Sequence, residues 1–184
     1  MKAKINKVTV RIVHETPLAL PSAALVRDAG AELALSADEV ALYGLDVQRA
    51  LIEIGTCAVG SAVITGGGRL APRHIIHAVG PRWGEGSERG KLASVTFECL
   101  RLAESHRLKS IAFPALSTGA MGYPLENCAT TMLSQIIDFT FEELKALRTV
   151  YIAPSTAVGY EIFKREFAAQ IEALKQAGEG KVQV

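Results

Sequence analysis

The chain has 184 residues, of which 49% are hydrophobic and 21% charged, a composition typical of a folded domain with a sizeable core and not of a disordered chain. Its 20 basic and 19 acidic residues leave a net charge of +1, so charge does not predict binding to nucleic acid or to an anionic membrane. No apolar run approaches the roughly 20 residues that span a bilayer. The first residues, MKAKINKVTV, lack the apolar stretch of a signal peptide.

The three cysteines, Cys57, Cys99 and Cys128, lie far apart in the chain. They form no C-x-x-C pair and no cluster with histidine, which argues against a disulfide framework and against a zinc site. We therefore expect reduced cysteines that serve as small apolar residues, no metal, no cofactor and a cytoplasmic protein.

Strand and helix patterns alternate along the chain. In order, the predicted elements are strands at 8–12 and 23–26, helices at 36–42 and 47–54, strands at 61–65 and 74–79, a helix at 91–107, a strand at 111–113, a helix at 127–144, a strand at 149–153 and a helix at 158–176. This alternation predicts an α/β fold with a largely parallel sheet, to which the first two strands add an antiparallel edge. We expect one domain, 1–184, with a frayed tail at 177–184.

A glycine-rich loop after the strand at 111–113 is the strongest candidate for a binding site. It consists of Ser117, Thr118, Gly119, Ala120, Met121 and Gly122, and Pro124 then begins a helix. The loop is therefore expected at the carboxyl end of the sheet, where ligands of open α/β folds bind. Its two glycines allow consecutive backbone N–H groups to converge on an anion without a lysine. A plain tight turn is the alternative interpretation.

A second glycine segment, Tyr43-Gly44-Leu45-Asp46-Val47, precedes the helix at 47–54. The free N–H groups at a helix start favour anions. Asp46, the predicted N-cap of this helix, would compete with an incoming phosphate. The three glycines at 66–68 join two strands, which predicts a flexible hairpin connection and not a nucleotide-binding loop.

The histidines and serines offer little further chemistry. His74 and His77 lie three positions apart on one strand, so their side chains point to opposite faces of the sheet, and we predict buried, hydrogen-bonded structural roles. His14 and Glu15 form either a polar contact to a ligand or an exposed pair. Ser117 has no neighbouring histidine and the sequence has no G-x-S-x-G elbow, so nothing predicts nucleophilic catalysis.

Two blocks of the sequence resemble the macro domain family. The first, at 57–83, reads CAVGSAVITGGGRLAPRHIIHAVGPRW, and the second, at 111–124, reads IAFPALSTGAMGYP. Together with the spacing of the final strand and helix, the resemblance covers nearly the whole chain. It implies a three-layer α/β/α sandwich around a mixed, roughly six-stranded sheet, with an ADP-ribose-binding cleft at the carboxyl end of that sheet.

The resemblance also implies roles for individual segments. The loop at 117–122 would direct its backbone N–H groups at the diphosphate of ADP-ribose. Gly44, Leu45 and Val47 would form the facing loop, and Glu15 would lie near the adenine. The implied partner is ADP-ribose or an ADP-ribosylated protein, and the oligomeric state is left open.

Departures from the family pattern bear on catalysis. The family's G-D-I stretch reads Val13-His14-Glu15-Thr16, its N-A-A-N run reads Arg27-Asp28-Ala29-Gly30, and Gln48 stands where the family has an aspartate and cannot act as a general base. Three hypotheses remain. The first is a binder of ADP-ribose or a related nucleotide diphosphate with weak or no catalysis. The second is a hydrolase of ADP-ribosyl groups or O-acetyl-ADP-ribose that uses a rearranged acid, with Asp46 as the catalytic candidate and Asp28 as another, and the third is a structural or RNA-associated module without this ligand.

Overall fold

The computed structural model describes all 184 residues and contains one eight-stranded sheet with five α-helices. The strands are β1 (Lys2–Ile5), β2 (Val8–Ile12), β3 (Ala24–Asp28), β4 (Ala62–Gly66), β5 (His74–Ala78), β6 (Ser110–Phe113), β7 (Thr149–Ile152) and β8 (Val182–Gln183). The helices are α1 (Ala37–Tyr43), α2 (Leu45–Ile54), α3 (Glu88–Ser105), α4 (Leu125–Phe139) and α5 (Ala157–Ala177). A short 3-10 helix, Pro17–Ala19, follows β2.

The sheet topology brings three loops to one edge. The strand order is β4-β5-β3-β6-β7-β2-β1-β8. The five strands from β5 to β2 are parallel to one another, whereas β4, β1 and β8 extend the two sides by antiparallel pairing. Because β5, β3 and β6 are adjacent and parallel, the residues that follow them meet at the carboxyl edge, which is where ligands bind in such folds.

Helices cover both faces of the sheet. On one face, α3, α4 and α5 contribute Leu92, Met132 and Phe163 to a core of 34 buried residues. On the other face, α2 packs Leu51 into a smaller cluster with Ile75 of β5. The prediction of a three-layer α/β/α fold with a mixed sheet is confirmed, since each face buries its alternate strand residues against helices.

The sheet has eight strands where the sequence predicts about six. The additional strands are β1 and β8, which pair with each other through Lys4 opposite Gln183 and Ile5 opposite Val182. The Asn6 side chain also accepts a hydrogen bond from the Lys181 N–H at 3.0 Å. The tail is therefore anchored to the sheet and is not frayed. Both strands are short, and β8 pairs only with β1, at the opposite end of the chain, which local patterns do not reveal.

Two further predictions about the elements are wrong. The antiparallel partner of β2 is β1, whereas β3 lies in the parallel centre of the sheet between β5 and β6. Helix α4 ends at Phe139 and does not extend to 144. The Asn6 amide donates to the Thr140 carbonyl oxygen at 3.2 Å, and this long-range contact holds the chain in a turn where the apolar periodicity continues.

The connections around α2 also differ from expectation. The helix begins at Leu45 with Gly44 as its N-cap, at φ +98°, so Asp46 lies in the first turn and is not the cap. The glycines at 66–68 do form the hairpin between β4 and β5. Gly67 and Gly68 are packed tightly, however: a Cβ on Gly68 would lie 2.1 Å from the Tyr43 carbonyl oxygen. Close approach of two backbones, and not flexibility, requires glycine here.

All three cysteines are buried and carry free thiols. Burial raises the pKa of the Cys99 and Cys128 thiols, which keeps both protonated and unreactive at neutral pH. Among the helices, none combines the length and the apolar character that crossing a bilayer requires.

Candidate functional site

A cavity of about 270 Å³ lies at the carboxyl edge of β5, β3 and β6. Its lining comes from the ends of these strands and the segments that follow them: residues 28–30 at the end of β3, Gly80 and Arg82 after β5, and Ser117 with residues 119–121 after β6. The site is therefore assembled by the parallel centre of the sheet, as the position of the glycine-rich loop predicts.

The glycine-rich loop is held in an unusual conformation by Ser117. This residue is 1% exposed and has φ +64°, a region that costs a non-glycine residue roughly 1–3 kcal/mol. The Tyr123 N–H donates to the Ser117 carbonyl oxygen at 2.9 Å, and Gly80 leaves room for the serine because a Cβ there would lie 2.2 Å from the Ser117 Oγ. The Ser117 Oγ is buried and has no hydrogen-bond partner in the protein. A strained backbone and an unpaired buried polar atom in one loop are typical of functional sites.

Three consecutive backbone donors of this loop are free. The N–H groups of Gly119, Ala120 and Met121 make no hydrogen bond within the protein, whereas the flanking Gly122 N–H donates to the Gly119 carbonyl oxygen at 3.0 Å. All three residues line the cavity. Such a run of unpaired N–H groups around a concave surface favours an anion, since each donor gains a charge-assisted hydrogen bond.

Asp28 supplies a carboxylate to the same cavity. Its Oδ1 accepts a hydrogen bond from the Ser117 N–H at 3.0 Å, so it ties β3 to the glycine-rich loop. The side chain is accessible to solvent within the cavity, yet the surrounding protein removes enough water to raise the pKa of the carboxyl, an effect that the Ser117 N–H and Arg27 oppose. The cavity thus combines hydrogen-bond donors on one side with a potential negative charge on the other.

A buried polar network supports this wall from beneath. The Arg27 guanidinium donates to the Glu39 carboxylate from Nη2 at 2.8 Å and to His77 Nδ1 at 3.0 Å. Because arginine only donates, His77 Nδ1 must accept, and its Nε2–H then donates to the Thr65 hydroxyl at 2.8 Å. Burial, with a smaller effect of Arg27, lowers the pKa of His77 to about 3. His77 is therefore neutral and structural, as predicted, and the network fixes α1 beside Asp28.

Comparison with known proteins identifies the family. The sequence pattern of the Macro domain matches residues 23–132. A macro domain-containing protein of Caldanaerobacter subterraneus subsp. tengcongensis is 33% identical over 172 residues, which cover 91% of this chain and 97% of that protein. The chain belongs to the macro domain family.

Other macro domain proteins are similar over most of this chain. An O-acetyl-ADP-ribose deacetylase of Pantoea vagans is 30% identical over 86% of this chain and 97% of its own. A mutant Oceanobacillus iheyensis macrodomain with ADPR superposes with a TM-score of 0.84 at 29% identity, covering 94% of this chain and 98% of the other. The same bacterial macrodomain with ADP gives a TM-score of 0.85 at 27% identity, covering 94% and 97%.

The structure of this macro domain brings only part of the predicted site together. Ser117, Gly119, Ala120 and Met121 line the cavity, whereas Thr118 and Gly122 belong to the loop without lining it. The Thr118 hydroxyl instead donates to the Ala115 carbonyl oxygen at 2.8 Å and stabilises the turn.

The predicted facing loop lies away from the cavity. Gly44 packs beside the Arg69 side chain, Val47 is buried in the cluster under α2, and Leu45 is 52% exposed. The Asp46 carboxylate is 90% exposed and pairs with Arg49 at 3.5 Å. None of these residues lines the cavity, and a catalytic role for Asp46 stays a prediction.

Glu15 and the histidines His14 and His74 lie outside the cavity lining. Glu15 is exposed, and its neighbour His14 stacks on Tyr160 with ring centroids 5.5 Å apart, at the carboxyl end of β2, two strands beyond β6. His74 differs from the prediction, because its Nδ1 is buried without a hydrogen-bond partner; the nearest ring, His106, is 6.1 Å away between centroids.

Five residues line the cavity although the sequence does not predict them to bind the ligand: Asp28, which it offers only as an alternative acid, and Ala29, Gly30, Gly80 and Arg82. Asp28 ends β3, and Gly80 and Arg82 closely follow the end of β5. The signal that could have found them is the rule that ligands collect after neighbouring parallel strands. It requires knowing that β3 lies between β5 and β6, and the sequence predicts β3 at the antiparallel edge instead.

Proposed function

We propose that this macro domain binds ADP-ribose, with the diphosphate at the N–H groups of Gly119, Ala120 and Met121. The observation that carries the proposal is this run of three free donors on a concave surface at the carboxyl edge of the sheet. Charge-assisted hydrogen bonds from such donors contribute roughly 1.5–3 kcal/mol each. The same ligand class is supported by the Oceanobacillus iheyensis macrodomain, which is similar over 94% of this chain and has structures with ADPR and with ADP.

The charges around the donors orient the ligand. The Arg82 guanidinium, whose Nη1 lies 3.4 Å from the Ala120 carbonyl oxygen, stands at the mouth of the cavity on the diphosphate side. We place the adenosine toward the end of β2, where His14 and Glu15 follow the strand at the same edge. The second ribose then lies toward Asp28 and Gly30, on the β3 side of the loop.

Calorimetric titration with ADP-ribose tests the proposal. We expect saturable heat with ADP-ribose and at least about a hundredfold weaker binding of adenosine, since adenosine lacks the diphosphate and loses about 3 kcal/mol of charge-assisted hydrogen bonds. Absence of heat at millimolar ADP-ribose would contradict the proposal. Equal affinity for the two compounds would place the ligand away from the loop.

Replacing Asp28 by asparagine is expected to strengthen ADP-ribose binding about fivefold at neutral pH. Asparagine retains an oxygen for the Ser117 N–H and removes a negative charge near the diphosphate, where repulsion costs on the order of 1 kcal/mol. Because the pKa of Asp28 is raised, wild-type affinity should increase as pH falls toward that pKa and the carboxylate is protonated. The Asp28→Asn protein should show no such rise.

Asp28→Ala is the matched control. Alanine removes both the charge and the acceptor, so the loop loses its tie to β3 and binding should not improve as it does with asparagine. Weaker binding by Asp28→Asn at every pH would mean that the carboxylate contacts the ligand favourably, for instance through ribose hydroxyls.

A second candidate function is hydrolysis of an ADP-ribosyl group or of O-acetyl-ADP-ribose. One observation favours it: Asp28 is an open carboxylate within the same cavity, where it can accept a proton from water. Incubation with O-acetyl-ADP-ribose and with an ADP-ribosylated protein tests it. Turnover that survives Asp46→Ala and is lost in Asp28→Asn would assign the base to Asp28, and no turnover in the wild type would leave binding alone.

We further propose that an ADP-ribosylated protein in the cytoplasm is the physiological partner. The open cavity supports it, since the second ribose lies toward the solvent-accessible Asp28 and Gly30. Recovery of ADP-ribosylated proteins on the immobilised wild type but not on a variant that fails to bind ADP-ribose would test the partner, and fractionation of cells would test the location.

A further inference from the structure

A second cavity, of about 650 Å³, lies at the opposite edge of the sheet. It is formed where the chain leaves α3 and enters β6, and where it enters β7. We refer to it as the basic cavity, because four cationic side chains line it: Arg107, Lys109, Lys145 and Arg148. Because these residues precede β6 and β7, the basic cavity is separated from the candidate ligand site by the length of the strands.

The cations of the basic cavity outnumber the carboxylates that line it by four to one. None of the four forms an ion pair, although Arg27, Arg49, Arg82, Arg101, Lys164 and Arg165 all do so elsewhere. One carboxylate, Glu104, lines the cavity, but it accepts hydrogen bonds from the backbone N–H groups of residues 145–147, with Leu147 at 2.8 Å. Partial burial by itself would raise the pKa of Glu104, but these N–H bonds, together with the charge of Arg148, lower it. The carboxylate therefore offsets part of the positive charge while its oxygens are held by the backbone.

The chain restrains two of these four residues, the side chain of Arg148 and the backbone of Arg107. The Arg148 guanidinium donates to the Leu147 carbonyl oxygen at 2.8 Å and to that of Lys145 at 3.2 Å. Arg107 follows the end of α3 at φ +57°, a position where glycine is usual because other residues are strained there. The four like charges repel one another, and the single Glu104 carboxylate offsets only part of that repulsion. An anion that lies between them would therefore be stabilised.

We propose that the basic cavity binds a small phosphate compound with several negative charges, such as a di- or triphosphate. Its concave shape suits a compact ligand. The lining contains no aromatic side chain on which a base could stack. The neighbouring cavity carries Glu142 and Glu143, so the positive surface does not continue as a track for a nucleic-acid backbone. The proposal is independent of ligand binding at the carboxyl edge.

Calorimetric titration of the full chain with tripolyphosphate at low salt tests the proposal. We expect saturable binding that persists with ADP-ribose present in excess, because the two sites lie at opposite edges. The double variant Lys109→Ala with Lys145→Ala should bind tripolyphosphate at least about tenfold more weakly. Both lysines are exposed, so the variant should fold, which its circular dichroism and melting temperature would verify.

The double variant Lys164→Ala with Lys175→Ala is the matched control, since it removes two charges from α5, away from the cavity. Unchanged binding in this control supports a specific site, whereas equal weakening in both double variants would reduce the effect to net charge and overturn the proposal. Loss of tripolyphosphate binding on adding ADP-ribose would assign it to the carboxyl edge instead. Tighter binding of a 20-nucleotide RNA, lost in Lys109→Ala with Lys145→Ala, would identify a nucleic-acid surface and also overturn it.

Discussion

Replacing Gly119 by valine is expected to weaken ADP-ribose binding at least about a hundredfold while the fold stays intact. Gly119 lines the cavity, and a Cβ built on it meets no atom within 4 Å, so the new side chain enters space that the protein leaves open. A β-branched residue there would displace the diphosphate from the adjacent N–H groups. Losing two charge-assisted hydrogen bonds costs roughly 3 kcal/mol, or about a hundredfold in affinity.

Gly66→Val provides the control for this substitution. Gly66 is also exposed and free of neighbours within 4 Å, but it ends β4 and lies outside the cavity. Both variants should melt close to the wild type, and only Gly119→Val should lose the calorimetric signal of ADP-ribose. If Gly119→Val binds as well as Gly66→Val does, the loop at 117–122 does not contact the diphosphate.

The part of the site that the sequence predicts is the part whose signals are local. The strand β6, the glycines after it and Pro124 follow one another within 15 residues, and each has its own physical reason: buried apolar side chains, access to unusual φ values, and a helix start. These reasons identify the loop and its place at the edge of the sheet without knowledge of any distant contact.

The part of the site that the sequence leaves open depends on long-range contacts. Asp28 acquires its role by accepting from the N–H of Ser117, 89 residues away, and nothing near Asp28 reveals which loop will face it. The residues of the predicted facing loop do not line the cavity, for a related reason. Gly68 packs against the Tyr43 carbonyl oxygen and Val47, and the Arg69 side chain packs against Gly44. Motif spacing does not reveal such packing.

Substituting Arg27 by methionine is expected to lower the free energy of unfolding by about 2–4 kcal/mol, because it leaves buried polar groups without partners. Methionine fills a similar volume but donates no hydrogen bond. The Arg27 side chain is 9% exposed, and its removal takes a donor from His77 Nδ1 and the ion pair from Glu39. Urea unfolding monitored by circular dichroism measures the loss.

The exposed pair of Arg49 and Asp46 gives the comparison. Its side chains are 74% and 90% exposed, so Arg49→Met should cost less than about 0.5 kcal/mol. The double substitution Arg27→Met with His77→Leu should recover part of the loss, because it removes the histidine that would otherwise be left unpaired. Equal, small effects of Arg27→Met and Arg49→Met would show that the network contributes little to stability and that α1 is held by its apolar contacts alone. A large effect of Arg27→Met without recovery in the double variant would place the cost on the other partners of Arg27. These are Glu39 and the Tyr43 ring, whose centroid lies 6.0 Å from the Arg27 guanidinium.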